Sequence, residues 1–168
     1  MNNAYLLDTN IASAFFDVHC PDHEKALAFT NNAAKAGDRI FISRFVVAEI
    51  EYGIAIHPNL DKARTKKLKK AIAKYSLVRE LGKWTTPHYA NIRAALFNKF
   101  GEKTAKGTVK KVRPESLVDS TTSKTLGIQE NDLWMAAIAV QYNMILVSED
   151  KMARLKEAYP NLNLIKWK

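Results

Sequence analysis

The 168-residue sequence has a single cysteine, Cys20, so no internal disulfide can form and a reducing compartment is expected. No apolar run approaches the ~20 residues that a bilayer-spanning helix needs, the longest candidate being Leu133 to Val140. The opening Met1-Asn2-Asn3-Ala4 lacks the basic flank and apolar stretch of a secretion signal, and a cytoplasmic location is expected. The glycines form no phosphate-binding loop, and His57 and His88 stand beside no serine or cysteine nucleophile motif. Nucleotide-driven chemistry and a hydrolase triad are therefore disfavoured. His19-Cys20-Pro21-Asp22-His23 offers metal-capable side chains, but no second pair completes a tetrahedral zinc site. Glycine and proline are too sparse for a low-complexity chain, and the length suits one domain spanning residues 1–168.

What the sequence has in surplus is positive charge, a net +9, and that surplus is localised. Residues 61–74 carry Lys62, Arg64, Lys66, Lys67, Lys69, Lys70 and Lys74 against one acid, a local +6. Residues 101–125 carry Lys103, Lys106, Lys110, Lys111, Arg113 and Lys124 against three acids, a local +3. The rest of the chain is neutral. Charge confined to two segments fits a surface that meets a polyanion, because lysine and arginine displace counterions from phosphates. The same run also reads as a solvated, lysine-rich helix face.

Ala4 to Leu7 is an apolar run too short for a helix, and Asp8-Thr9-Asn10 follows as a strand stop and helix cap. Arg39 to Ser43 reads as a second strand. Phe45 to Ile56 reads as a helix with Phe45, Val46, Ile50 and Ile54 among its apolar positions, ended by Pro58. Leu60 to Tyr75 is a basic helix anchored through Leu68, Ile72 and Tyr75. Thr86-Pro87 opens a helix to about Phe100 with Tyr89, Ile92 and Leu96 as its stripe. Residues 101–125 show little periodicity and read as a mobile basic loop or insertion, with Val109, Val112 and Leu117 available to dock it. Asn131 to Tyr142 is helical, Met144 to Val147 a strand, Lys151 to Tyr159 a helix and Leu162 to Ile165 a strand. Strands alternating with helices imply an α/β layer fold with a mainly parallel sheet.

In such folds ligands gather where the strands' C-terminal ends give way to loops. Asp8 follows the first strand and Asp150 follows Met144 to Val147, so both project at that edge. Asp132 lies in the first turn of a helix, where the macrodipole favours an ionised carboxylate. Glu49 lies one turn before Gly53, whose missing side chain would let another element approach. Each also reads more plainly: Asp8 and Asp132 as caps, Glu49 as a surface acid, Asp150 as a turn former. Taken together, carboxylates at one edge repel unless a cation holds them, and oxygen donors suit magnesium, with manganese tolerated.

The runs Leu6-Leu7-Asp8-Thr9-Asn10-Ile11, Ala48-Glu49-Ile50-Glu51-Tyr52-Gly53, Asn131-Asp132-Leu133-Trp134-Met135-Ala136-Ala137 and Leu146-Val147-Ser148-Glu149-Asp150 resemble the motifs of PIN-domain ribonucleases. The pattern is most similar to the VapC toxins of toxin-antitoxin pairs. That resemblance implies a three-layer α/β/α PIN fold, Mg2+-dependent endoribonuclease activity on RNA, a homodimer and a cognate antitoxin. It implies an acidic quartet of Asp8, Glu49, Asp132 and Asp150 as metal-holding, catalytic residues, with Thr9, Asn10 and Ser148 as polar support. It implies no role for 101–125, and local chemistry leaves Glu51 and Glu149 open as further contributors. On this reading Lys62, Arg64, Lys66, Lys67, Lys69, Lys70, Lys103, Lys106, Lys110, Lys111 and Arg113 hold the RNA backbone, and Trp84, Tyr89 or Trp134 could stack unpaired bases. The competing readings are a non-catalytic RNA-binding PIN module and a PIN nuclease acting on single-stranded DNA.

Overall fold

The computed structural model describes residues 2–57, 59–110, 112–148 and 152–167. It divides into two compact units, residues 1–81 with Trp167 and residues 82–166.

The first unit begins with β1 (Ala4–Leu7), whose Leu6 and Leu7 are fully buried. Asp8 ends the strand in extended geometry and caps α1 (Thr9–Phe16). Next comes α2 (His23–Lys35), a helix with no counterpart in the sequence reading. Its buried face is Ala26, Thr30 and Ala33, side chains too small to make a strong apolar period, and Phe29 meets Tyr5 of β1 edge-on at 5.4 Å. β2 (Arg39–Ser43) pairs in parallel with β1, Leu6 opposite Phe41. Buried from Ile40 to Ser43, it shows the continuous apolar run of an interior parallel strand.

Ser43 caps α3 (Arg44–Ile56) by accepting the Val46 N–H at 3.2 Å. The α3 core face is Val46, Val47 and Ile50, while Phe45 and Ile54 are only half-buried. The proposed stop, Pro58, lies outside the described residues. A Cβ built on Gly53 meets nothing within 4 Å, so the close approach expected there is absent among the described residues. The basic segment forms α4 (Lys62–Lys74), capped by Asp61, with Ile72 buried and Leu68 and Tyr75 half-buried as anchors. The chain then adds β3 (Val78–Arg79), parallel to β2 and only two residues long, too brief to leave a sequence pattern.

In the second unit, α5 (Thr85–Phe100) buries Thr85, Ile92, Leu96 and Phe97, and Tyr89 is half-buried at the end of the expected stripe. Residues 101–125 carry order of their own. Lys103 bridges Val109 and Val118 bridges Thr125, both antiparallel, and a 3-10 turn, Pro114–Ser116, joins the two hairpin-like turns. Leu117 docks at 3% exposure, whereas Val112 stays exposed. α6 (Glu130–Gln141) buries nearly every residue from Leu133 to Ala139, matching its all-round apolar composition. β4 (Ile145–Ser148) runs parallel to β5 (Leu164–Lys166), with α7 (Ala153–Ala158) between them in sequence. Among the described residues no helix is long and apolar enough to cross a membrane.

Candidate functional site

In the first unit the end of β1 delivers Asp8 and Thr9 side by side. One Asp8 oxygen accepts the Thr9 N–H at 2.6 Å, which fixes the carboxylate at the head of α1. The Thr9 hydroxyl donates to the Glu49 carboxylate from α3, 40 residues away in sequence. Asp8, Thr9 and Glu49 are thus tied into one polar group by a cap and a hydroxyl bridge. Asn10 is exposed beside them. Glu51, left open by local chemistry, lines a cavity of about 380 Å³ with Arg44, Phe45, Val47, Ala48 and Leu81.

In the second unit Asp132 stands in the first turn of α6, where its Oδ2 accepts the Gln129 N–H at 2.7 Å. That bond realises the capping role and anchors the carboxylate. Ser148 closes β4 at full burial, in register with Lys166. Asp150 and Glu149 lie outside the described residues. Among the described residues no three His, Cys, Asp or Glu side chains form a ready cation cage. Of the metal-capable run His19 to His23, the His23 ring meets the Ala14 carbonyl through Nδ1 at 2.8 Å. Donor chemistry still fits a hard divalent ion, because Asp8 and Glu49 offer carboxylate oxygens on adjoining elements.

The basic residues do not behave as a block. Lys62, Lys66 and Lys69 line a cavity of about 390 Å³ with His57 and Thr65, whereas Arg64 forms a partly buried pair with Asp17 at 2.5 Å. Burial alone would raise the Asp17 carboxyl, but hydrogen bonds from Arg64 and from the His19 N–H outweigh it and hold the carboxyl below its usual range. Lys110 pairs with Glu102 at 2.6 Å, Lys103, Lys106 and Arg113 are exposed, and Lys111 lies outside the described residues. Among the aromatics, Trp84 is 63% exposed with Lys83 over its ring at 4.9 Å. Tyr89 stacks on Trp134, ring centroids 3.9 Å apart.

Sequence reasoning missed a polar cluster on α5 and α6. Arg93 grips both oxygens of Glu130 at 2.7 and 2.6 Å, and the Tyr89 hydroxyl bonds the same carboxylate. Burial first, then that carboxylate, raises the Tyr89 phenol above its usual range. The available signal was a second acid in the opening turn of α6, two residues before Asp132.

Comparison with known proteins converges on one family. The PIN domain model matches residues 5–158. No curated protein matches. A chain in the structure of VapBC2 from Rickettsia felis bound to a DNA fragment from their promoter is 24% identical, with a TM-score of 0.63 over 98% of this chain and 99% of that one. A chain of FitAcB from Neisseria gonorrhoeae is 18% identical, with a TM-score of 0.59 over 98% and 96%. A chain of DNA-bound VapBC from Salmonella typhimurium is 17% identical, with a TM-score of 0.57 over 99% of each. The likeness to these structures is one of fold, and the α/β layering expected from the strand and helix order is theirs. The protein belongs to the PIN domain family of nucleases and has its three-layer α/β/α fold built on parallel strands.

Proposed function

We propose that the protein is a toxin-like endoribonuclease that hydrolyses RNA phosphodiester bonds with a divalent metal and is neutralised by a cognate antitoxin. The observation that carries the reading is the Asp8–Thr9–Glu49 group, in which the Thr9 hydroxyl spans from the first strand's end to an acid on α3. A site that only binds phosphates gains nothing from acidic side chains at its centre, since they repel the ligand. Asp132 and Asp150 complete the acidic quartet in the proposal. The VapBC and FitAcB names of the structural relatives support pairing with an antitoxin, and a homodimer is part of the same proposal.

Asp8, Glu49, Asp132 and Asp150 would hold Mg2+, or Mn2+ in its place. Such an ion supplies charge neutralisation at the scissile phosphate and a more acidic bound water. Thr9 orients Glu49, and the Thr9 N–H holds Asp8 in place. Lys62, Lys66 and Lys69 hold the RNA backbone on one face of α4, with Lys67 and Lys70 adding to the field.

Purified protein is incubated with RNA or single-stranded DNA, with Mg2+ or with EDTA. Cleavage of RNA that EDTA stops, leaving 5'-phosphate and 3'-hydroxyl ends, is the expected result. Asp8→Asn should remain folded and lose cleavage. Equal activity in that variant, from a preparation free of contaminating nuclease, would remove Asp8 from the chemistry. Cleavage confined to DNA would replace the substrate.

A further inference from the structure

We propose that the excursion at residues 101–125 is a brace for the first turn of α6, which carries Asp132, and for α7, with Glu115 and Asp119 as its positioning residues; this rests on the nuclease reading above. Among the described residues two acids of the excursion make long-range ties, one to α6 and one to α7.

The first tie is at α6. Glu115, in the 3-10 turn, accepts the Glu130 N–H through Oε1 at 3.0 Å. That amide is among the four at a helix start that have no partner within the helix, and Asp132 belongs to the same turn. The second tie is at α7, which begins at Ala153, shortly after Asp150 in sequence. The Asp119 carboxylate is only 6% exposed and divides its oxygens between two tasks. Oδ1 accepts the Thr121 and Thr122 N–H groups at 2.8 and 3.2 Å and so shapes its own turn. Oδ2 pairs with Arg154 of α7. Arg154 also bonds Glu157 at 2.7 Å, and Glu157 bonds Lys99 at 2.8 Å, which closes an ionic chain from the excursion through α7 back to the end of α5.

The excursion is seated as a rigid part requires. Pro114 and Leu117 within it, and Leu126 and Ile128 just after it, are buried. At its root Gly101 leaves no room for a side chain, since a Cβ would stand 2.5 Å from both the Phe97 carbonyl and Val109. A loop with only its own turns to satisfy needs neither tie. Here each tie ends on a different helix, which couples the orientation of the α6 first turn and of α7 to a single folded element.

The test separates the ties from stability. Glu115→Gln keeps a carbonyl acceptor for Glu130 N–H and Glu115→Ala removes it. Asp119→Asn keeps the acceptor for Thr121 and Thr122 and removes the charge that meets Arg154. On a short single-stranded RNA, Glu115→Ala and Asp119→Asn should each lower kcat by about 10-fold with KM within about twofold, the scale of losing an outer partner of a metal-holding group. Glu115→Gln should stay near wild type. Mn2+ affinity, measured calorimetrically, should weaken in parallel in the first two variants by about 10-fold. Hydrogen exchange should quicken at residues 130–133 in Glu115→Ala and at residues 153–156 in Asp119→Asn. Unchanged kcat and Mn2+ affinity in both variants would overturn the brace, as would an equal loss in Glu115→Gln and Glu115→Ala. If the wild-type protein shows no metal-dependent cleavage, the nuclease reading fails on its own. The brace is then decided by exchange alone, upheld by local quickening at those residues and overturned by its absence.

Discussion

Replacing Ile72 with alanine should loosen α4 without unfolding the sheet beside it. Among the described residues Ile72, at 7% exposure, is the one buried side chain of α4, whose other apolar anchors are half-buried. The change removes three carbons, about 2.4 kcal/mol at ~0.8 kcal/mol per buried methylene, before any cavity penalty. At the edge of the core water and neighbouring side chains refill part of the space, so the low end of the roughly 2–5 kcal/mol range for such truncations applies. If α4 opens locally, 2.4 kcal/mol corresponds to about 60-fold faster amide exchange across residues 66–74. Exchange at β2, residues 40–43, should be unchanged, because those amides pair within the sheet and Ile72 contributes nothing to that ladder. In the RNA assay the same variant should raise KM and leave kcat near wild type, since Asp8, Thr9 and Glu49 are untouched. Hydrogen exchange read by mass spectrometry decides the matter. Equal loss of protection in α4 and β2 would show that α4 does not open by itself, and loss below about threefold would show that Ile72 is not its anchor.

Other outcomes follow from single contacts. Asp17 is held below the usual carboxylate range, so its contribution to stability is present above the unfolded pKa of ~3.9 and is lost as pH falls through the lower folded value. Asp17→Asn should therefore flatten the acid limb of a Tm-against-pH curve and lower the plateau above it; an unaltered acid limb would discard the Arg64 tie. Changing Lys66, Lys67, Lys69 and Lys70 to glutamine should cut RNA affinity and reduce the slope of log K against log salt by up to about 3, at ~0.7 per contacted phosphate on a single strand. An unchanged slope would return α4 to a solvated face. Gly101→Ala forces atoms already 2.5 Å from the new Cβ to move and should cost about 1–3 kcal/mol in denaturant unfolding. Gly53→Ala, in open space within α3, should stabilise by up to about 1 kcal/mol.

β1, β2, α3, α5, α6 and β4 were legible because short apolar runs, a 3.6-residue period and capping residues are local properties of the chain. The same locality explains why α2 escaped, its core face being two alanines and a threonine, and why β3, two residues long, left no pattern. Residue order also marked Asp8 and Asp132 as cap positions, but a cap and a metal-holding carboxylate look alike along the chain. Tertiary structure decided which side chains meet. Thr9 finds Glu49 across 40 residues, Arg64 finds Asp17 across 47, and Glu115 reaches the head of α6. Those pairings depend on where strands and crossover helices set distant backbone segments. Periodicity records which way a side chain points on its own element, and it holds no information about what stands opposite.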